Sequence, residues 1–254
     1  MVRVEAHDPV LLVTIDRPET KNAIDVATAT ALTAAFERLE ADESLRVGVL
    51  TGAGGTFCSG ADLKAVAGGS AGRVEPGSDG PLGPTRRLLA KPVIAAVEGH
   101  AVAGGLELAL WCDLRVAGRG AVFGVYCRRF GVPLVDGGTV RLSRLIGHSR
   151  ALDMILTGRA VDAEEALAFG LANRVVPEGS ALDAAMELAL QIAAFPQLCM
   201  RADRRSSYEQ WGLGLAEALR MEAAGGLEVI RSGETLEGAR RFASGEGRHG
   251  AVVS

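Results

Sequence analysis

The chain opens on an alternation of apolar and polar residues. VRVEA at 2–6 has the period of a half-buried strand, and VLLVTI at 10–15 is a continuous apolar run that suits a buried one. RPETKNA makes a polar connection. Asp25 then stands where it can cap a helix whose apolar positions, Leu32, Phe36 and Leu39, recur at spacings of four and three. VGVLTG (47–52) predicts another buried strand, ended by the turn signal GAGG. KPVIAAVEG (91–99) predicts a strand stopping at Gly99, GGLELALW (104–111) a helix, and LRVAG and AVFG extended segments. From residue 138 the pattern is mostly helical. DAEEALAFG (162–170) has a D-x-x-E start and a glycine stop, RVVP is a short strand, LDAAMELALQIAAF (182–195) is a strong helix, and 208–243 reads as helices with polar faces. The tail GEGRHGAVVS has no periodicity. GGSAGRVEPGSDGPLGP (68–84) is rich in glycine, proline and serine and predicts a mobile surface loop. Strands interleaved with helices in the first half and helices in the second place the chain in the α/β class.

Composition narrows the function. With 254 residues, 48% of them hydrophobic, one large domain with a small appended lobe fits better than two equal domains. The net charge is −4, and the arginines are scattered, with Lys21, Lys64 and Lys91 the only lysines. This speaks against a general nucleic-acid surface, so an anionic ligand has to be met locally. Cys58, Cys112, Cys127 and Cys199 form no CxxC pair and have no histidine cluster beside them, so neither a metal site nor a disulfide framework is expected. The N-terminus has no apolar leader core and no apolar run is long enough to span a bilayer. A soluble cytoplasmic protein without a membrane partner is the expectation.

Three stretches carry candidate chemistry. GGSAG (68–72) matches the G-x-S-x-G pattern of serine hydrolases, but its flanks offer Ser70 no strand before it and no helix after it. GAGGTF (52–57) fails the dinucleotide pattern because position 57 is Phe, and it lacks the Lys-Ser/Thr of a phosphate loop. The third stretch is GHAVAGGLELALWCD (99–113), where Glu107 stands among leucines and alanines just after a glycine pair. If Gly104 opens a helix, its N–H is unpaired within that helix and accessible to a ligand oxygen, and Glu107 lies one turn away on the same face. Apolar neighbours would raise the Glu107 pKa toward neutrality; the plain alternative is a helix glutamate pointing to water. FCSGADL (57–63) places small residues at a second bend, where the Ala61 N–H can pair with that of Gly104 around one developing oxyanion.

These residues resemble the crotonase superfamily of enoyl-CoA hydratases and isomerases. The resemblance spans about 10–245 and rests on five ordered blocks: DRPETKNAID (16–25), TGAGGTFCSGADLK (51–64), KPVIAAVEGHAVAGGLELALWCDLRVA (91–117), FGVPLVDGGTVRLSRLIG (130–147) and ALDMILTGRAVDAEEALAFGLANRVVP (151–177). It implies a spiral of ββα units over 1–195 holding the acyl-CoA site, and a C-terminal helical trimerisation lobe over 196–254. It implies homotrimers or hexamers, and an acyl-CoA substrate with no separate cofactor, since coenzyme A is part of the substrate. By the same resemblance Ala61 and Gly104 are the oxyanion donors and Glu107 the catalytic acid/base. Lys21 and Ala23 fall in the CoA-lining loop, and Lys64 and Arg17 are candidates for phosphate contact.

One departure bears on the reaction. Family hydratases carry a second glutamate a few residues beyond an F-G pair, and here FGVYCRRFG (123–131) has Cys127 at that place. A thiol of ordinary pKa is a poor base for activating water. Asp136, nine residues on, is a candidate second proton carrier; its alternative is a helix cap before GGTVRL. The reading is therefore hydration of a 2-enoyl-CoA to a 3-hydroxyacyl-CoA. The alternatives are an enoyl- or dienoyl-CoA isomerase or a decarboxylase using Glu107 with Asp136, and a non-catalytic acyl-CoA-binding protein.

Overall fold

The computed structural model describes residues 1–70, 72, 74–75 and 77–246. Among the described residues, nine strands form two sheets. β1 (Val2–His7) pairs antiparallel with β2 (Val10–Ile15), and β3 (Val47–Gly52), β4 (Val93–Val97), β6 (Leu114–Gly118) and β9 (Arg174–Val176) follow in parallel, in the order β1-β2-β3-β4-β6-β9. The second sheet is β5 (His100–Val102), β7 (Val122–Gly124) and β8 (Ala160–Asp162), in that order. The chain visits both sheets in turn. β4 leads after a bend at Gly99 into β5 and then a helix, and β6 leads likewise into β7. Cys58 bridges Ala101 and so extends the second sheet toward the preceding turn of chain. Each circuit contributes two strands and then helical residues, which makes the ββα spiral of the α/β class expected from the sequence. Every residue of β2 is buried, as its unbroken apolar run predicts for a strand covered on both faces.

The helices are α1 (Val26–Ala41), α2 (Leu63–Ala67), α3 (Gly104–Trp111), α4 (Gly138–Ile146), α5 (His148–Thr157), α6 (Ala163–Phe169), α7 (Ala181–Ala194), α8 (Gln197–Glu209), α9 (Leu215–Ser232) and α10 (Glu234–Ser244). Asp25 caps α1, accepting the Thr28 N–H at 2.8 Å, and Leu32, Phe36 and Leu39 are its core face. Phe36 meets Trp111 of α3 edge-on, with ring centroids 4.8 Å apart. Asp162 caps α6 through the Glu165 N–H, and Gly170 ends it in the left-handed conformation. The period-2 and period-3.6 signals did not reveal β5, β8 and α2, which have only three to five residues each, nor the helix α8.

The segment 68–84 departs from the mobile surface loop expected. Ala71, Arg73 and Pro76 lie outside the described residues, but its end is interior: Leu82 is 2% exposed, and Pro84 and Thr85 are buried in a 3-10 turn, Pro84–Arg86. A buried acceptor on another segment holds this stretch, and composition alone does not record such a contact. The part of the tail from 247 onward also lies outside the described residues.

The chain forms two compact units, 1–189 and 190–254. In the second, α8 packs on α9 and α9 on α10, and both Glu234 carboxylate oxygens accept N–H groups from the first turn of α8. Among the described residues no helix is long and apolar enough to cross a membrane, and no cluster of three metal-ligating side chains occurs.

Candidate active site

Two backbone amides and a carboxylate meet in one cavity of about 120 Å³. The first amide is set by strand pairing. Ile24 donates to the Gly60 carbonyl at 2.8 Å, and Asp62 donates to the Ile24 carbonyl at 2.9 Å. The groups flanking Ala61 thus point toward Ile24, and backbone alternation turns the Ala61 N–H the other way, to the cavity it lines. The second amide opens α3. Ala103 donates to the Gly124 carbonyl at 2.8 Å and then takes φ 53°, ψ −124°, so the Gly104 N–H stands at the head of the helix. Neither N–H has an acceptor among the described residues. The two turns touch at Gly60 (φ 98°): a Cβ there would lie 2.7 Å from the Gly104 nitrogen, so only glycine permits the approach.

Glu107 follows one turn into α3 and is 3% exposed. The solvated alternative is thereby excluded. Its Oε1 accepts the N–H groups of Asp136 and Gly138, each at 2.8 Å. Burial pushes its pKa up to about 7, and the neighbouring Asp136 charge adds to the rise, while N–H groups of Gly138, Asp136 and Val135 oppose it. Gly138 opens α4, so the carboxylate sits at the positive end of a second helix.

Asp136 lines the same cavity and is 1% exposed. It does not cap α4: Gly137 occupies that position without a side-chain bond. Its Oδ1 instead accepts the Leu82 N–H at 3.2 Å and the Thr85 hydroxyl. Burial raises its pKa against those bonds and the nearby Arg86 and Arg141. Cys127 sits on the 3-10 turn Tyr126–Phe130 and lines the cavity too. Burial, and then the Glu107 charge, hold its thiol above the ordinary range, so it is a neutral wall rather than a base.

The segment named for CoA lies beside the first amide. Lys21 and Asn22 both have φ 55°, and the Lys21 carbonyl accepts the Ser59 N–H at 3.1 Å. The Lys21 and Lys64 side chains are exposed, and Ala23 is buried. Arg17 is committed inward. Its guanidinium donates to the Ala23 carbonyl at 2.5 Å and pairs with Asp25 and Asp62, each at 3.1 Å. Asn22, not singled out in the sequence, is fully buried and donates to the carbonyls of Ala53 and Thr56 at 2.8 and 2.6 Å. Its positive φ leaves no mark in a single sequence. Ser70 is exposed in irregular chain just past the turn that ends α2, not at a strand-to-helix elbow.

Two backbone amides without an acceptor among the described residues, set against a buried carboxylate, are parts that can hold a polarised carbonyl and move a proton beside it. The family model described as Enoyl-CoA hydratase/isomerase matches residues 5–246. The chain is 40% identical over 250 residues, 94% of its length and 92% of the relative's, to the enoyl-CoA hydratase EchA19 of Mycobacterium tuberculosis. It is 39% identical over 248 residues, 95% of each chain, to the carnitinyl-CoA dehydratase of Salmonella arizonae. The crystal structure of enoyl-CoA hydratase EchA1 from Mycobacterium marinum superposes with a TM-score of 0.90 at 43% identity, covering 96% of this chain and 95% of that one. The chain belongs to the enoyl-CoA hydratase/isomerase family of the crotonase superfamily.

Proposed function

We propose that the protein hydrates a 2-enoyl-CoA to a 3-hydroxyacyl-CoA, with Glu107 as the acid/base and the Ala61 and Gly104 amides as the oxyanion hole. The convergence of those three groups in one cavity carries the reading. Conjugation passes charge from the β-carbon to the thioester oxygen when water attacks, and the two N–H groups bind the resulting enolate oxygen more strongly than the starting carbonyl. With Oε1 anchored by two N–H bonds, Oε2 exchanges the protons. It takes one from water as the C–O bond forms at the β-carbon, then returns it to the α-carbon as the enolate collapses. Water is consumed, Glu107 ends as it began, and no cofactor enters; the CoA moiety arrives with the substrate. By the family resemblance Lys21, Ala23 and Lys64 are the candidates for CoA contact, and Arg17 serves that contact by fastening the 17–25 loop through the Ala23 carbonyl, Asp25 and Asp62. Exposed apolar side chains on α9 and α10, among them Leu215, Leu219, Ile230 and Phe242, support self-association as a trimer or hexamer.

The test is loss of enoyl absorbance with a short 2-enoyl-CoA. Glu107→Gln is expected to lower kcat by about 10²–10⁴-fold, and kcat/KM of the parent to rise with pH through a midpoint near 7. Tight binding of acyl-CoA esters with no turnover would sink the reading. A second carboxylate in the cavity favours one further reaction, double-bond isomerisation with Asp136 as the second proton carrier. Asp136→Asn that abolishes isomerisation but spares hydration would mark it.

A further inference from the structure

Behind the cavity wall, two segments distant in sequence are fastened together by buried polar contacts. Thr85 is fully buried, and its hydroxyl donates to Asp136 Oδ1. Arg141 of α4 spans both segments: Nη1 donates to the Asp136 carbonyl at 2.8 Å and Nη2 to the Thr85 carbonyl at 2.5 Å. The turn they secure, 135–138, is the one that carries both N–H donors to Glu107 Oε1. Side chains thus grip the turn from one side while its main chain grips the carboxylate on the other.

We propose that Thr85, Asp136 and Arg141 form a clamp that positions Glu107, by fixing the 135–138 turn whose N–H groups hold its carboxylate. The proposal rests on Glu107 being the acid/base. Thr85 and Arg141 are positioning residues, and they act through different levers. Arg141 reaches main-chain carbonyls and sets the shape of the turn. The Thr85 hydroxyl reaches the Asp136 carboxylate and sets the charge beside Glu107. The other charged and titratable groups near the cluster are Arg86 from the 84–86 turn, Tyr126 and Cys127, which line the same cavity, Cys112 just past the end of α3, which senses the Arg141 charge, and Cys58 against Gly105 of α3. Arg86 ties its own turn to the Val135 carbonyl at 3.1 Å. Burial pushes the Cys58 thiol up to about 12 and raises that of Cys127 as well, so both stay neutral.

The two levers predict shifts of opposite sign. Thr85→Val keeps the shape and removes the donor. Asp136 then protonates more readily, its charge weighs less on Glu107, and the Glu107 midpoint falls. Arg141→Lys keeps the positive charge, but one ammonium does not span two carbonyls as a planar fork does. The turn loosens, the N–H bonds to Oε1 weaken, and the midpoint rises. Thr85→Ser returns the parent value. The midpoint is read from the pH dependence of kcat/KM and, separately, from the Glu107 carboxylate infrared band, assigned by difference against Glu107→Gln. Opposite shifts with rescue by serine are expected. Unchanged midpoints, or shifts in the same direction, overturn the clamp. Should both infrared midpoints shift as stated while the rate profile has no limb near pH 7, the clamp stands and the acid/base role of Glu107 falls.

Discussion

Glu107 links catalysis to stability through one proton. Its folded-state pKa, near 7, lies above the 4.5 of an unperturbed glutamate. The folded protein therefore binds that proton more tightly than the unfolded chain does. The stabilisation is complete below pH 4.5 and is lost as pH rises through 7. Glu107→Gln does not titrate, so it is expected to lose less stability than the parent between pH 5 and pH 8. The difference amounts to roughly 3 kcal/mol at most, and urea unfolding at the two pH values measures it. This residue was legible in the sequence because a carboxylate among leucines after a glycine pair is an anomaly with few explanations. Its partners were not: the Asp136 and Gly138 N–H groups are main-chain atoms about thirty positions away, and no side-chain type announces them. Thr85 gave no signal for the same reason, since a threonine in a glycine- and proline-rich stretch looks like loop until its acceptor is known.

Among the elements, α3 is the one whose placement decides the site. Its bounds follow from GGLELALW, and its depth follows from its second glycine. A Cβ at Gly105 would come within 2.0 Å of the Cys58 carbonyl oxygen, a rigid backbone atom. A Cβ at Gly104 would meet the Leu82 Cδ1 at 2.6 Å, the far end of a side chain that can turn aside, with the Gly60 Cα next at 3.2 Å. Gly105→Ala is therefore expected to force α3 off the second sheet and cost about 3 kcal/mol, seen as a fall in thermal midpoint. Gly104→Ala should fold and lose turnover instead. The sequence marked α3 through the glycine pair and the short apolar run after it, although the helix has no side-chain cap and is buried on every face, and it marked the long strands through unbroken apolar runs. It did not mark β5 and β8, because three residues are too few to show a period, and what makes them strands is the neighbour that pairs with them.

At the scale of the molecule, strands interleaved with helices pointed to the α/β class, and the spiral itself was legible only through the resemblance carried by five ordered motif blocks. The burial of 82–85 depends on long-range contacts and was not apparent. The spiral itself has an effect on how activity is lost. Ala61 and Gly104 come from successive circuits of the chain, held in register by the Cys58–Ala101 bridge and the Ile24–Ala61 bridge. One circuit cannot supply half an enzyme: an intermediate with a single circuit in place has one amide and nothing to oppose it. Trp111 shares α3 with the carboxylate and reports on the second circuit from inside the core. In a urea titration of a Trp211→Phe background, which leaves Trp111 as the single tryptophan, its emission and the turnover rate should vanish at one midpoint, and an interval of native emission without turnover would show the circuits parting before the core does. Inheritance of the fold and inheritance of the activity are then hard to separate, because the fold's own pitch spaces the two donors.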